Sequence, residues 1–121
     1  ASSAASDVYK RQVTAACMMI SKELYNEVGG FSEEYAVAFN DVDFCMKVRE
    51  KGYLVVYDAF SQWYHYESKS RGLDDTAEKM ERFKGEVDRF QAKWKKQLDA
   101  GDPYYNKNFS LTKAVFMLDK E

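Results

Sequence analysis

The chain has 121 residues with a formal net charge of −2 at pH 7; 45% of the residues are apolar and 16% aromatic. That balance supplies a core for one domain, argues against global disorder and gives no basic field for nucleic acid, so no nucleic-acid partner is expected. No apolar run is long and uncharged enough for a membrane-spanning helix, and the opening residues, small and polar rather than basic then apolar, do not read as a signal peptide.

Residues 1–12 begin with a run of Ala and Ser and contain few core formers, so they read as a leader, linker or foreign segment outside the fold. Val13 to Ile20 is a continuous small and apolar run, the pattern of a strand buried on both faces. Ser21 is placed to cap a short helix with Glu23 in its first turn, and Gly29-Gly30 ends it. Phe31 then returns to the core.

A second helix is predicted from Asn40 to Gly52. Asn40 is a suitable N-cap, Asp41 and Asp43 complement the dipole in the first turn, Lys47, Arg49 and Lys51 crowd the far end, and Gly52 is a natural stop. Val42, Phe44, Cys45, Met46 and Val48 point in several directions, so this helix is expected to be well covered. Asp41 has two readings: it stabilises the helix start, or it is a general base able to take a proton from a hydroxyl.

Tyr53 to Tyr57 is a strong strand signal, and Phe60 to Tyr66, with Trp63 and the single histidine His65, is a second candidate strand. Glu67 to Gly72 reads as a polar loop. A long amphipathic helix opens at Asp74 or Asp75 and runs to about Ala100, with Ala77, Met80, Phe83, Val87, Phe90, Trp94 and Leu98 as its apolar stripe. Gly101-Asp102-Pro103 breaks it, Tyr104 to Asn108 forms an exposed loop, and Leu111 to Leu118 is a final mildly apolar piece. Cys17 and Cys45 both lie in apolar segments and form no C-x-x-C pair, so two buried, reduced thiols are expected, as suits a cytosolic protein; a disulfide between them stays open.

Val28-Gly29-Gly30-Phe31, Asn40-Asp41-Val42-Asp43, Glu50-Lys51-Gly52-Tyr53, Tyr64-His65 and Ser70-Arg71-Gly72, in that order, resemble the C-terminal half of a family 2 glycosyltransferase catalytic domain. Gly101-Asp102-Pro103-Tyr104-Tyr105-Asn106 is similar to the tail of bacterial rhamnosyltransferase-like members. The resemblance covers Val13 to about Ser110. It implies an α/β fold, the C-terminal portion of a GT-A type domain, with a mixed sheet, flanking helices and a long C-terminal amphipathic helix. Residues 13–72 would form the acceptor-side half and 73–121 the helix and tail packing on it.

The implied reaction is inverting transfer of a sugar from a nucleotide-sugar donor to a saccharide acceptor in cell-surface polysaccharide synthesis. Asp41 matches the family's base. Its neighbour here is Asn40, where the family often has Glu. His65 matches the histidine completing a divalent metal site (Mg or Mn), although from the residues alone a lone histidine among aromatics reads as packed core. Ser68, Ser70 and Arg71 would lie near the donor diphosphate, against the plain reading of a solvated loop. Asp43 and Trp94 are the acceptor-side candidates, Asp43 also supporting the helix start.

The family's Asp-x-Asp motif for metal and diphosphate precedes this region and has no counterpart before Val13. The chain therefore reads as a fragment, inactive alone, with a sheet edge open to self-association. The resemblance places the parent protein in the cytoplasm or at the inner face of the membrane. The alternatives are a carbohydrate-binding platform of Trp63, Trp94, Tyr104 and Tyr105, or a protein-interaction module built on the long helix.

Overall fold

The computed structural model describes residues 7–64, 66, 76–105 and 108. Its elements in chain order are a strand β1 (Asp7–Lys10), a 3₁₀ turn (Ala15–Cys17), and the helices α1 (Lys22–Glu27) and α2 (Asn40–Glu50). A strand β2 (Val55–Asp58) and a long helix α3 (Ala77–Asp99) complete the set. β1 and β2 pair antiparallel with Asp7 opposite Asp58 and Lys10 opposite Val55. Residues 7–10, expected to lie outside the fold, are thus part of it, and the sheet among the described residues is two-stranded.

The helices begin and end where local chemistry directs. Ser21 Oγ accepts from the Leu24 N–H at the start of α1. At its end the Gly29 N–H reaches Asn26 O and the Gly30 N–H reaches Tyr25 O, with both glycines left-handed. α2 closes in the same way: the Gly52 N–H bonds Arg49 O, the Tyr53 N–H bonds Val48 O, and Gly52 takes φ +87°. This paired arrangement satisfies carbonyls that the last turn would otherwise leave orphaned. α3 starts one residue after Thr76, whose hydroxyl accepts from the Lys79 N–H, and kinks at Trp94.

α2 lies between two apolar clusters. Phe44, Cys45 and Val48 join Val28 and Val55 on one side, with Val13, Met18, Ile20, Leu24 and Tyr25 packed around them. Met46 joins Tyr35, Phe90 and Trp94 on the other, with Phe39, Val42 and Leu98 alongside. Burying a side chain such as Phe44 or Met46 stabilises by roughly 1.5–3 kcal/mol, so the coverage foreseen for this helix is a main source of stability.

Three expectations are corrected. Val13 to Ile20 is not a strand: Thr14 Oγ1 accepts from the Ala16 N–H and closes a 3₁₀ turn, and Met19 is 98% exposed. Described residues 60–64 and 66 form no strand, because Asp58 takes the Phe60 N–H and the Ser61 hydroxyl on its carboxylate and turns the chain after β2. Cys45 is buried as expected, but Cys17 is exposed on the 3₁₀ turn, and both thiols are free. The stripe of α3 is also shorter than its sequence suggests: Phe90 and Trp94 are buried, whereas Met80 and Phe83 are largely exposed.

Candidate functional site at the start of helix α2

α2 begins without the expected cap. Asn40 is its first helical residue, and its Oδ1 accepts from the neighbouring Asp41 N–H at 2.7 Å. The cap position falls on Phe39, whose backbone is left-handed (φ +65°) and whose side chain caps nothing. Left-handed backbone costs a non-glycine residue roughly 1–2 kcal/mol, so neighbouring structure must hold this turn.

Asp41 sits in the first turn, half-buried. Its Oδ1 accepts from the Val42 N–H at 2.8 Å and its Oδ2 from the Ala15 N–H at 3.2 Å. The carboxylate therefore ties the 3₁₀ turn to the start of α2. A carboxylate offers about four lone-pair sites, so capacity remains to accept a proton from an approaching hydroxyl. Neither of two surface hollows touches it: one, of about 480 Å³, lies among Glu27, Val28, Lys47, Glu50 and Lys51, and the other lies along the outer side of α3.

Asp43, two residues on, points about 200° away around the helix. It is fully buried. Its Oδ1 accepts from the Trp94 indole N–H at 2.8 Å and lies 2.8 Å from Lys93 Nζ, while Oδ2 accepts from the Ser32 hydroxyl and lies 3.7 Å from Lys47 Nζ. Burial pushes its pKa up, but hydrogen bonds from Lys93, Ser32 and Trp94 outweigh that and hold it below the ordinary carboxylate value. Burial likewise lowers the Lys93 pKa, and the bonds to Asp43 and Glu34 raise it by more.

The structure thus brings Asp43 and Trp94 together, but as a buried pair. Trp94 is only 2% exposed, so the expectation that the two face an acceptor is corrected: their polar atoms are spent on each other and on α3's attachment to α2. A platform of Trp63, Trp94, Tyr104 and Tyr105 loses its Trp94 for the same reason. Tyr104 lies under the Arg49 guanidinium, 5.0 Å from ring centre to Cζ, and Trp63 is 75% exposed. His65, Ser68, Ser70 and Arg71 lie outside the described residues. Among the described residues no cluster of three or more His, Cys, Asp or Glu is arranged to hold a metal ion.

One residue of the site escaped the sequence reading. Glu86 on α3 is 1% exposed, and its carboxylate accepts from three successive backbone N–H groups: Ala36 at 3.1 Å, Val37 at 3.3 Å and Ala38 at 2.8 Å. The available signal was its position, three residues after Phe83 and four before Phe90, which places an acid on the apolar stripe.

The chain is similar to much longer proteins. It is 48% identical over 107 residues to the uncharacterized protein y4gI of Sinorhizobium fredii, a match covering 88% of this chain and 12% of that protein. It is 33% identical over 101 residues to the O-antigen biosynthesis protein RfbC of Myxococcus xanthus, covering 83% of this chain and 8% of that protein. Over 62 residues, 51% of this chain, it is 29% identical to the N-acetylglucosaminyl-diphospho-decaprenol L-rhamnosyltransferase of Mycobacterium tuberculosis, of which it spans 20%. No family model and no solved structure matches the chain.

Proposed function

We propose that this chain is part of a glycosyltransferase, with Asp41 as the base that deprotonates an acceptor hydroxyl. The observation that carries the proposal is the Asp41 carboxylate: it is only half-buried at the start of α2, anchored on two backbone N–H groups and with lone pairs to spare. Similarity to proteins named for O-antigen biosynthesis and for rhamnosyl transfer supports sugar transfer as the chemistry. The expected enzyme is an inverting, family 2-like transferase of GT-A type. It would take a nucleotide-sugar donor and a saccharide acceptor, make cell-surface polysaccharide, and work in the cytoplasm or at the inner face of the membrane. No helix among the described residues is long and apolar enough to cross a membrane.

Direct displacement fits one base at Asp41: as the acceptor oxygen forms its bond to the anomeric carbon, the proton passes to the carboxylate and the nucleoside diphosphate leaves with the bonding electrons. A divalent cation, Mg or Mn, would supply charge neutralisation at that leaving group. His65 would contribute to holding it, with Ser68, Ser70 and Arg71 near the diphosphate. Asp43 and Trp94 would serve the acceptor side indirectly, by fixing the helix that carries Asp41.

The test is Asp41→Asn in the parent polypeptide. Loss of a general base lowers kcat by about 10²–10⁴-fold with donor binding retained. A variant that transfers sugar at the wild-type rate would overturn the assignment. The purified 121-residue chain is expected to show no transfer of a labelled sugar on its own.

A further inference from the structure

α3 grips the segment before α2 at successive turns. The Phe39 ring stacks on Phe83 and Phe90, at 5.8 and 5.0 Å between ring centres. Glu86 closes on the N–H groups of residues 36–38, Arg89 Nη2 donates to Glu34 O, and Lys93 bonds the Glu34 carboxylate. The grip matters because the start of α2 has no cap of its own. The first hydrogen bond of the helix runs from the Asp43 N–H to Phe39 O at 2.8 Å, so its geometry depends on the left-handed turn at Phe39.

A carboxylate suits this position. Three backbone N–H groups, from an exposed residue (Ala36) and two half-buried ones (Val37 and Ala38), converge on a carboxylate that is itself buried, and bonds to an ionised acceptor are about twice as strong as neutral ones. The carboxylate holds the chain at residues 36–38, and the next residue, Phe39, turns left-handed before Asn40 and Asp41 enter the helix.

We propose that Glu86 is a positioning residue: from α3, 45 residues downstream, it sets the turn that aims Asp41. The consequence for catalysis rests on the reading of Asp41 as the base; the structural part does not. α3 is then a component of the acceptor site rather than only a cover for the core.

Amide hydrogen exchange on the 121-residue chain tests it through Glu86→Gln. The amide keeps an acceptor but loses the charge and turns a donor towards one of the N–H groups. Exchange is expected to rise about tenfold to hundredfold at Ala36, Val37, Ala38 and Asp43, the scale of losing a charge-assisted bond, with the amides of α1 unchanged. A rise confined to residues 36–38 with Asp43 unmoved, or a uniform rise over the chain, would overturn the proposal.

If Glu86→Gln does not fold, the wild type decides. Its Ala36–Ala38 amides must exchange as slowly as those of the buried part of α3, and exchange at the rate of an exposed loop would overturn the proposal. In the parent enzyme Glu86→Gln is expected to lower kcat at least about tenfold with donor KM unchanged. Asp41→Asn is the control. Should that variant keep the wild-type rate, the base assignment fails, while the role of Glu86 in setting the Phe39 turn still stands or falls on the exchange data.

Discussion

At the scale of single residues, two acids on one helix turn take opposite parts. Asp41 keeps contact with solvent and, among the described residues, binds N–H groups alone, whereas Asp43 is fully buried against two lysines, a hydroxyl and an indole. Asp43→Asn is expected to cost about 3 kcal/mol near neutral pH, the low end for breaking a buried pair because both lysines reach water. The pH dependence has a definite sign. The Asp43 pKa in the folded chain lies below its ordinary value of 3.8, so its contribution is complete above 3.8 and is lost as the pH falls through the folded value. Urea midpoints should therefore differ by a constant amount between wild type and Asp43→Asn from pH 7 to about 5, and the gap should narrow below 3.8. A gap that widens on acidification would contradict the assignment.

At the scale of elements, the closing turns make the clearest comparison. Gly30 and Gly52 both have positive φ, but a Cβ at Gly30 would meet the Tyr25 ring at 2.9 Å, while one at Gly52 would meet nothing within 4 Å. The Tyr25 ring cannot swing away freely, because it packs against Phe31 and Phe44. Gly52→Ala is expected to cost about 1 kcal/mol, from backbone conformation alone, and Gly30→Ala about 2–4 kcal/mol, from conformation plus overpacking. Thermal unfolding of the two variants checks this, and equal losses would show that the ring gives way.

The same elements show what a sequence makes legible. The ends of α1 and the stop of α2 were readable because Ser21, Gly29, Gly30 and Gly52 act within a few residues of themselves. The coverage of α2 was readable from apolar groups on several sides. The start of α2 was not: Asn40 is a sound cap by local rules, but the turn is set by Glu86 from a distant helix, and tertiary contacts outweigh a preference worth about 1 kcal/mol. Val13 to Ile20 failed for a related reason. A continuous apolar run states that a segment wants cover without saying which neighbour provides it. Of the site, the carboxylate at position 41 was legible as a candidate from its place in the first turn. The burial of Asp43 with Trp94 was not, since it depends on where α3 crosses α2.

At the scale of the whole molecule, apolar surface is unevenly covered. The two clusters around α2 are well packed, yet Met19, Phe60, Trp63 and Tyr64 are 75–98% exposed, and Val56 and Tyr57 on β2 are about half exposed. A two-stranded sheet of four-residue strands is marginal by itself, and among the described residues no further strand pairs with its edges, whose N–H and C=O groups suit another strand. Apolar side chains next to such an edge favour pairing with a second copy, because both the ladder bonds and the burial reward it. The 121-residue chain is therefore expected to self-associate as its concentration rises, with light scattering giving a mass above 14.1 kDa. Phe60→Lys with Trp63→Lys should return it to the monomer mass without changing its helical circular dichroism, since neither side chain belongs to the buried clusters. Association that survives both substitutions would move the contact elsewhere, with the exposed Met80 and Phe83 on α3 next in line. A monomeric wild-type chain at high concentration would show that the two-stranded sheet recruits no second copy.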